Sequence, residues 1–359
     1  MKAAVFHAAH DVRIEEVPDP GSPAAGEIVL KVTRAAICGT DAAEWDHGPV
    51  LCRPGVILGH EFVGRVVEAG TDVTGFRAGD RVVSGAGISC GHCYWCLRAR
   101  TNLCAEYRTL GLQLDGGLAE YVTSPAAICH VVPDGCDDDA AVMTQPLAVA
   151  LHALSRVAQS PEESIAVVGV GGIGSFIVAG ASRRTVGGRV VAIDIDPERL
   201  TTARALGADE VVDATGHDLG ALLQELTDGV GFDVVIEASG APHAPAAATV
   251  GVRRGGRVLL VGLHALPREI DLTRMIVREI DVFTSVAHIC NSDLPAALDM
   301  LAASDVAVVT AGPTIPLESL VDDGLRPLVE GRAAGKILIA PDSQPELTPL
   351  EPGTVAGAP

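Results

Sequence analysis

The chain has 359 residues, of which 48% are apolar and 20% charged, and a formal net charge of −20. This length exceeds one ordinary hydrophobic core, so two domains are expected. The acidic charge argues against nucleic acid as a partner, because phosphate binding needs a basic surface, and against binding to an anionic membrane.

The apolar segments and the cysteines indicate the cellular compartment of the protein. No stretch of about eighteen apolar residues is free of charge, so no membrane span is expected. Residues 1–6 read as a strand and lack the long apolar core of a signal peptide, which favours a cytoplasmic protein. In a reducing compartment the nine cysteines are expected to be metal ligands or buried thiols.

Short alternating apolar runs, separated by Gly, Pro and Asp turns, dominate the first 150 residues. This pattern is typical of a β-rich, partly barrel-like domain. Strands are predicted at residues 12–17, 27–32, 63–69, 81–84 and 118–122.

Candidate ligands for a catalytic metal come early in the chain. Cys38 opens the segment Cys-Gly-Thr-Asp, and His60 follows 22 residues later with Glu61 beside it. These residue types are common zinc ligands, and three protein ligands leave a fourth position open for water or substrate, as catalysis requires. Thr40 could relay a proton from a zinc-bound alcohol, and Asp41 could orient the histidine. The alternative is a buried thiol and an unrelated surface His-Glu pair.

A second group of candidate ligands is a cysteine cluster in a glycine-containing loop, with the spacing C-x2-C-x2-C-x7-C. Four thiolates this close can surround one tetrahedral zinc ion and leave no open position, so the spacing predicts a structural zinc site. Two disulfides, an iron–sulfur cluster and free core cysteines are the alternatives. The predicted ligands are Cys90, Cys93, Cys96 and Cys104.

An apolar helical pattern at 140–158 leads into a regular alternation of strands and helices, which predicts a parallel, doubly wound sheet. Strands are predicted at 165–169, 189–194, 210–213, 233–238, 257–262 and 281–286, and helices at 173–184, 197–206, 218–227 and 242–252.

The first of these strands runs into a GxGxxG motif that opens a helix, so backbone amides at the helix N-terminus can bind a pyrophosphate. Asp194, twenty residues past the motif, is expected to bind the adenosine ribose hydroxyls and to repel a 2′-phosphate, which favours NAD over NADP. Arg199 could contact the same ribose or cover the adenine. The alternative is a structural glycine-rich turn. The motif residues are Gly169, Gly171, Gly172, Ile173 and Gly174.

The last part of the chain predicts a helix at 291–301, with Ser292 or Asp293 as its N-cap, and strands at 307–310 and 336–340. The chain is therefore expected to leave the first domain, build the sheet domain and return to the first. The tail 341–359 is rich in Pro, Gly, Ser and acidic residues, and is predicted to be disordered.

Taken together from residue 2 to residue 340, these motifs resemble the zinc-containing medium-chain dehydrogenase/reductase family, in the branch of the butanediol, sorbitol and threonine dehydrogenases. The resemblance implies an α/β fold with a GroES-like catalytic domain, residues 1–150 and 289–340, split around a Rossmann NAD-binding domain, residues 151–288. It also implies homodimers or homotetramers. The segments that carry it lie at 38–41, 59–61, 79–82, 90–104, 116–121, 146–149 and 169–174.

The same resemblance implies two zinc ions per chain and NAD as the hydride carrier. The catalytic zinc would be held at Cys38, His60 and Glu61, with Thr40 passing the substrate proton towards solvent, and the structural zinc by the four-cysteine cluster. Residues 261–264 and 284–286 would lie near the nicotinamide, and the active site would lie in the cleft between the domains.

Two residues depart from the pattern of this branch. Gln145 stands where relatives usually carry a glutamate near or on the catalytic zinc, which removes one negative charge from the site. Ala43 stands where many relatives have a histidine that ends the proton relay. The relay would then end at a ribose hydroxyl, a water or Glu44. Trp45 and His47 are candidates for the wall of the substrate pocket.

The leading functional hypothesis is an NAD-dependent dehydrogenase of a secondary alcohol, diol or polyol. A biosynthetic dehydrogenase of a cyclitol or amino-sugar alcohol is the second, because such enzymes share these motifs. A third, from a different class, is a sensor that binds NAD and zinc without turnover, which Gln145 and Ala43 motivate. A zinc-free quinone reductase of the same fold fits less well, because those relatives lack the cysteine cluster.

Overall fold

The computed structural model describes residues 1–158 and 160–341, so all but the first residue of the predicted tail lies outside the described residues. None of the helices in these ranges is long and apolar enough to cross a membrane. The strands are β1 Lys2–Ala8, β2 Asp11–Glu16, β3 Glu27–Ala36, β4 Glu61–Ala69, β5 Arg81–Ser84, β6 Gly87–Ile88, β7 Arg108–Thr109, β8 Tyr121–Pro125, β9 Cys129–Val131, β10 Ser164–Val168, β11 Arg189–Asp194, β12 Glu210–Asp213, β13 Phe232–Glu237, β14 Val252–Leu260, β15 Asp281–Thr284, β16 Ala311–Pro316 and β17 Lys336–Ala340. The α-helices are α1 Gly39–His47, α2 Asp138–Ala141, α3 Thr144–Ser155, α4 Gly172–Arg184, α5 Pro197–Ala205, α6 Leu219–Glu225, α7 Ala244–Gly251, α8 Leu272–Arg278, α9 Cys290–Ala302, α10 Val306–Thr310 and α11 Arg326–Val329.

The middle of the chain forms a six-stranded parallel sheet in the order β12-β11-β10-β13-β14-β15. Its central strands are buried apolar runs, as expected for a sheet covered by helices on both faces. The strand order reverses between β10 and β13, so a crevice opens there at the carboxyl ends of the strands, where such sheets bind ligands. The predicted doubly wound sheet is confirmed.

A seven-stranded sheet is formed by strands from the two ends of the chain. β3 pairs antiparallel with β4 and β8, and it also pairs with β17, with Leu338 opposite Ala36. A backbone bond from Ile37 N to Ile337 O, 3.1 Å long, extends this pairing past the end of β3. The final strand therefore lies beside the segment that enters α1.

Three local predictions need correction. The run 307–310 is helix α10, not a strand: Val306, Ala307 and Thr310 are buried at helical spacing, and Thr310 Oγ1 donates to Val306 O at 2.8 Å. Helix α9 begins at Cys290, so Asp293 lies in its first turn, where its side chain accepts from Ile289 N at 2.7 Å. The strand predicted at 118–122 is shifted towards the C-terminus, to β8.

Candidate functional site

Cys38 lies at the N-terminus of α1, immediately after the β3 segment. Its backbone N–H donates to Asp41 Oδ2 at 2.9 Å, so a side chain of the first helical turn fixes the backbone that carries the thiol. Thr40 Oγ1 lies 3.7 Å from Cys38 Sγ. The segment 38–41 therefore presents a thiol and a hydroxyl side by side, with a buried carboxylate behind them.

His60 and Glu61 reach the same place because of strand register. Glu61 begins β4 and pairs with Ala36 at the end of β3, two residues before Cys38. Both side chains are buried, and His60 Nδ1 lies 3.7 Å from Asp41 Oδ1. One ligand atom from each of Cys38, His60 and Glu61 lies within 4.8 Å of the other two.

The charges around this cluster include a lysine that sequence reasoning missed. Lys336, the first residue of β17, is buried and its Nζ lies 2.5 Å from Glu61 Oε2. Burial lowers the pKa of Lys336, but Glu61 and Cys38 outweigh burial and raise it. Burial likewise lowers the pKa of His60, whereas Asp41 and Cys38 raise it, to about 10. The acidic groups of this cluster, Cys38, Asp41 and Glu61, thus outnumber its one lysine.

These residues fit a zinc ion. The donor set of thiol, imidazole and carboxylate is one that zinc prefers, and the spread of the three ligand atoms suits bond lengths of about 2.0–2.3 Å to a common centre. Glu61 Oε1, His60 Nδ1 and Asp41 Oδ1 are buried polar atoms without a hydrogen-bond partner among the described residues. A divalent cation would pair with Glu61 Oε1 and compensate the surplus negative charge, while His60 Nδ1 and Asp41 Oδ1 face each other behind the site.

Replacing Asp41 with asparagine is expected to weaken zinc binding about 10–100-fold, as is typical when a partner behind a metal-bound histidine is lost. The amide oxygen can still accept from Cys38 N, so the helix start is kept while the negative charge beside His60 is removed. Competition with a zinc chelator measures the change. Asp46→Asn, on the exposed side of the same helix, is the control. Equal zinc affinity in the Asp41→Asn variant and the wild type would contradict the role.

Both carboxylate oxygens of Glu44 are engaged by backbone amides. Its two carboxylate oxygens accept from the backbone N–H groups of Val50, at 2.8 Å, and Leu51, at 2.6 Å. Glu44 therefore stabilises the loop after α1. This geometry does not support a role for Glu44 as the acceptor of the substrate proton.

The other predicted pocket residues divide between core and surface. Trp45 is buried, and its ring meets His10 edge-on at a centroid distance of 5.0 Å, so it packs within the domain. His47 is exposed and lies 3.3 Å from Asp46. Gln145 is buried in the first turn of α3.

The four-cysteine cluster, here called the cysteine lobe, spans Cys90–Cys104. Its sulfur atoms converge: Cys93 Sγ lies 3.5 Å from Cys96 Sγ and 3.9 Å from Cys104 Sγ, and all four ligand atoms lie within 4.8 Å of one another. A tetrahedral zinc with bonds of about 2.3 Å would separate its sulfurs by about 3.8 Å. The lobe fits such an ion, and all nine cysteines of the chain are free thiols in the structure.

Backbone amides donate to two sulfurs of the lobe, those of Cys93 and Cys104, whereas burial and the neighbouring Cys93 raise the pKa of Cys96 to about 11. Cys104 Sγ accepts from the N–H groups of Cys90 and Glu106, each at 3.3 Å. Hydrogen bonds from the backbone of Cys96 and Ala105 lower the pKa of Cys93 to about 6. Because zinc binds the thiolate, these bonds prepare the lobe for the metal.

A buried polar network, unforeseen from the sequence, connects the lobe to the rest of the molecule. Asn102 Nδ2 donates to Val286 O at 3.0 Å and lies 3.2 Å from His152 Nε2. His152 Nδ1 lies 2.9 Å from Asp293 Oδ2. The network joins the lobe to α3, to α9 and to the segment that follows β15.

The glycine-rich loop between β10 and α4 contains two kinds of glycine. Gly169 has φ +84°, and a Cβ there would lie 2.4 Å from Ser239 Cα, while a Cβ on Gly174 would lie 1.9 Å from Gly169 O. Those glycines permit close packing inside the protein. A Cβ on Gly172 would meet nothing within 4 Å, and one on Gly171 only Arg199, at 3.6 Å. The open side of the loop, where Gly171 precedes the first residue of α4, Gly172, therefore has room for a pyrophosphate.

Asp194 ends β11, next to this loop, and is buried. Its Oδ2 accepts from Val170 N at 2.8 Å, and its Oδ1 accepts from Ile195 N at 2.8 Å and Asp196 N at 3.1 Å. Arg199 Nη1 lies 4.0 Å from Asp194 Oδ1. The structure thus brings together the glycine loop, the carboxylate and the arginine of the predicted dinucleotide site.

Two protein-family models match separate parts of this chain. Residues 24–134 match the model of the alcohol dehydrogenase GroES-like domain, and residues 172–303 match that of the zinc-binding dehydrogenase domain. A sorbitol dehydrogenase from Halalkalibacterium halodurans is 37% identical over 292 residues, covering 79% of this chain and 84% of that protein.

Two solved structures extend the likeness to the fold. The 2R,3R-butanediol dehydrogenase from Bacillus subtilis is 28% identical, with a TM-score of 0.86, and the match covers 95% of this chain and 99% of that one. An alcohol dehydrogenase from Escherichia coli, solved in complex with NADH, is 27% identical with a TM-score of 0.87 and the same coverage of each chain.

Proposed function

This chain belongs to the zinc-containing medium-chain dehydrogenase/reductase family and is a zinc-dependent alcohol or polyol oxidoreductase; we propose that it transfers hydride between NAD and a secondary alcohol, diol or polyol. The observation that carries the proposal is the convergence of Cys38, His60 and Glu61 within 4.8 Å of one another. Relatives named for sorbitol and 2R,3R-butanediol support this substrate class.

In the proposed site, Cys38, His60 and Glu61 hold the catalytic zinc, and Asp41 orients His60 from behind. A zinc ion with an open position would polarise a bound hydroxyl and lower its pKa towards neutrality. Lys336 keeps the Glu61 carboxylate in place and offsets the charge of Asp41. With one thiolate and two carboxylates against one ammonium, the protein supplies two net negative charges, matching a divalent ion.

Thr40 is the proposed proton carrier, because its hydroxyl lies 3.7 Å from Cys38 Sγ and therefore beside the position of the reacting oxygen. Ala43 offers no side chain to take the proton further, and the Glu44 carboxylate is engaged by two backbone amides. Of the three proton acceptors considered from the sequence, a ribose hydroxyl of the coenzyme and a water remain.

The four cysteines of the lobe hold the proposed structural zinc.

The proposed coenzyme site uses the loop Gly169–Gly174 for the pyrophosphate, and Asp194 with Arg199 for the adenosine ribose. Asp194→Asn is expected to weaken NAD binding and to reduce the preference for NAD over NADP about tenfold, because a 2′-phosphate would no longer face a buried negative charge. The ratio of the two dissociation constants, measured by titration calorimetry, checks this. Asp209→Asn, at the other end of the same sheet, is the control. An unchanged ratio would contradict the assignment.

We also propose that the chain forms a homodimer or homotetramer in the cytoplasm. Strand β15 is the edge of the six-stranded sheet and pairs only with β14 among the described strands. Val282 on that edge and Ile276, Val277 and Val286 nearby are exposed apolar residues. An open edge with apolar side chains favours pairing with a second copy.

Val282→Lys is expected to dissociate the assembly, because a charged side chain on the edge opposes strand pairing. Light scattering after size-exclusion chromatography measures the mass in solution. Val186→Lys changes another exposed valine, before β11, and should leave the mass unchanged. A Val282→Lys protein with the wild-type mass would contradict the proposed interface.

We propose two domains from the composition of the two sheets: a catalytic domain, residues 1–150 and 289–340, and a coenzyme domain, residues 151–288. The six-stranded sheet contains residues between 164 and 284, and the seven-stranded sheet contains strands from both sides of that range.

NADH formation by the purified protein with 2,3-butanediol, sorbitol, threonine and simple secondary alcohols tests the proposed function. Turnover of one of these alcohols is the expected result. A cyclitol and an amino-sugar alcohol belong in the same panel, since selective turnover of either would favour the biosynthetic alternative. NADH binding without turnover on any alcohol, in protein that contains both zinc ions, would contradict the proposal and favour the sensor.

A further inference from the structure

A third group of metal-ligating side chains lies on the surface of the lobe and has no part in the proposed function. It consists of Cys90, His92 and Glu106, whose ligand atoms lie within 4.8 Å of one another. His92 Nδ1 lies 3.5 Å from Cys90 Sγ. Cys90 is partly buried, whereas His92 and Glu106 are exposed. The chain therefore presents three metal-binding atoms to solvent beside the four sulfurs of the lobe.

The group opens onto a surface cavity of about 530 Å³, whose walls include Cys90, Glu106, Tyr107 and Arg108. A cavity of this size admits a cation with several of its waters, each of which occupies about 30 Å³. The positive charge of Arg108 opposes a cation there, but the carboxylate of Glu106 and a thiolate at Cys90 outweigh it. A hydrated metal ion can therefore reach these two ligands from solvent.

The geometry and the donor types of the group fit zinc. Thiol, imidazole and carboxylate are the same three donors that form the cluster proposed to hold the catalytic zinc. A tetrahedral zinc ion would separate a bound sulfur from a bound nitrogen by about 3.5 Å, given bonds of about 2.3 and 2.0 Å. Cys90 Sγ and His92 Nδ1 lie at this distance. Three protein ligands leave a fourth position open, which another sulfur of the lobe can enter.

Cys90 connects the surface group with the interior of the lobe, because it belongs to both groups. The backbone N–H groups of Cys90 and Glu106 both donate to Cys104 Sγ, each at 3.3 Å. Cys104 is the buried ligand of the lobe. The surface group is thus attached directly to the innermost sulfur, and an ion at either group would use the same Cys90 thiolate. This arrangement favours successive occupation of the two groups by one ion.

We propose that Cys90, His92 and Glu106 form an entry site, at which the chain first binds zinc before the ion passes to the four cysteines of the lobe. Cys90 stays bound throughout, while the bonds to the His92 nitrogen and the Glu106 oxygen break and bonds to the other three sulfurs form. Protons still held by those sulfurs pass to solvent, and no atom changes its oxidation state. Soft thiolates hold zinc more strongly than an exposed imidazole and carboxylate, so the transfer runs towards the lobe. The inference rests on the proposed structural zinc.

Exchange of the lobe zinc for an isotopically labelled zinc ion, followed by mass spectrometry on the full-length, zinc-loaded protein, tests the entry site. An ion leaves by the path through which it enters, so the entry site governs the exchange rate. A Cys38→Ala background removes the other zinc from the signal. His92→Asn and Glu106→Gln are each expected to slow exchange about tenfold, because the transient complex loses one ligand. Zinc affinity at equilibrium should change less than twofold and Tm should stay the same, since all four thiolates remain.

Two further variants separate the ligand role from a general effect of charge. Glu106→Asp keeps a carboxylate and should retain more of the exchange rate than Glu106→Gln. Glu68→Gln removes the same charge from an exposed position on β4 and should exchange at the rate of the Cys38→Ala background.

Unchanged exchange in both His92→Asn and Glu106→Gln would overturn the inference and leave the proposed function standing. A third zinc ion per chain that His92→Asn removes would also overturn it, because the two groups would then be filled at the same time. Slower exchange accompanied by a lower Tm and weaker zinc affinity would show that these residues only shape the lobe. A Cys38→Ala protein without any zinc would overturn the proposed structural zinc as well.

Discussion

Replacing Cys38 with alanine is expected to lower kcat/KM for the alcohol about 10³-fold or more and to reduce the zinc content from two ions to one per chain. Loss of a metal that polarises the reacting oxygen removes several kcal/mol of transition-state stabilisation. Cys38 sits where β3 leads into α1, and the backbone bond from residue 38 to Asp41 does not need the thiol, so the variant should fold. Zinc analysis and NADH-linked kinetics on the same sample provide the measurement.

Cys136→Ala is the control for that variant, because Cys136 is buried and belongs to neither group of metal-ligating residues. It should retain two zinc ions and turnover. A Cys38→Ala protein with two zinc ions and normal turnover would contradict the assigned ligand, whereas one with normal NADH binding and no turnover would support it.

The second large effect is expected for Cys104→Ser, which should cost about 5 kcal/mol or more of stability and lower Tm by about 10 °C. Cys104 is the most buried ligand of the lobe, and its sulfur accepts from two backbone amides that shape the loop. Loss of this ligand should release the structural zinc and loosen the lobe, including Asn102. The bond from Asn102 to Val286 would then be lost as well, so NADH affinity should fall together with Tm.

Thermal unfolding with zinc analysis measures the effect, and Cys52→Ala is a suitable control because that buried cysteine lies outside the lobe. An unchanged Tm with two zinc ions per chain would show that Cys104 is not a structural ligand. A lower Tm with both zinc ions retained would mean that Cys104 contributes to packing and is not a zinc ligand.

Features encoded by neighbouring residues were predictable from the sequence. The parallel sheet followed from strands and helices that alternate over more than a hundred residues, and the structure confirms it. The convergence of the four lobe cysteines follows from gaps too short for the chain to diverge. For Cys38, His60 and Glu61, residue type pointed to a metal site, but only the β3–β4 register explains why they meet.

Contacts between distant segments could not be predicted. Nothing in the sequence around Lys336 marks it as the partner of Glu61, because the contact depends on β17 pairing with β3. Asn102, His152 and Asp293 likewise come from three separate segments. The strand expected at 307–310 was wrong because β-branched residues favour strands, while packing of Val306 and Ala307 against the core selects a helix.

We propose that the zinc site with an open position, formed by Cys38, His60 and Glu61, carries the chemistry, and that the lobe does not. The most direct measurement is graded removal of zinc with a chelator, following zinc per chain, alcohol-dependent NADH formation and NADH binding on the same samples. We expect turnover to disappear when the zinc held by Cys38, His60 and Glu61 leaves, NADH still to bind, and added zinc to restore turnover. Full turnover in protein that retains only one zinc per chain, held by the lobe, would contradict this proposal.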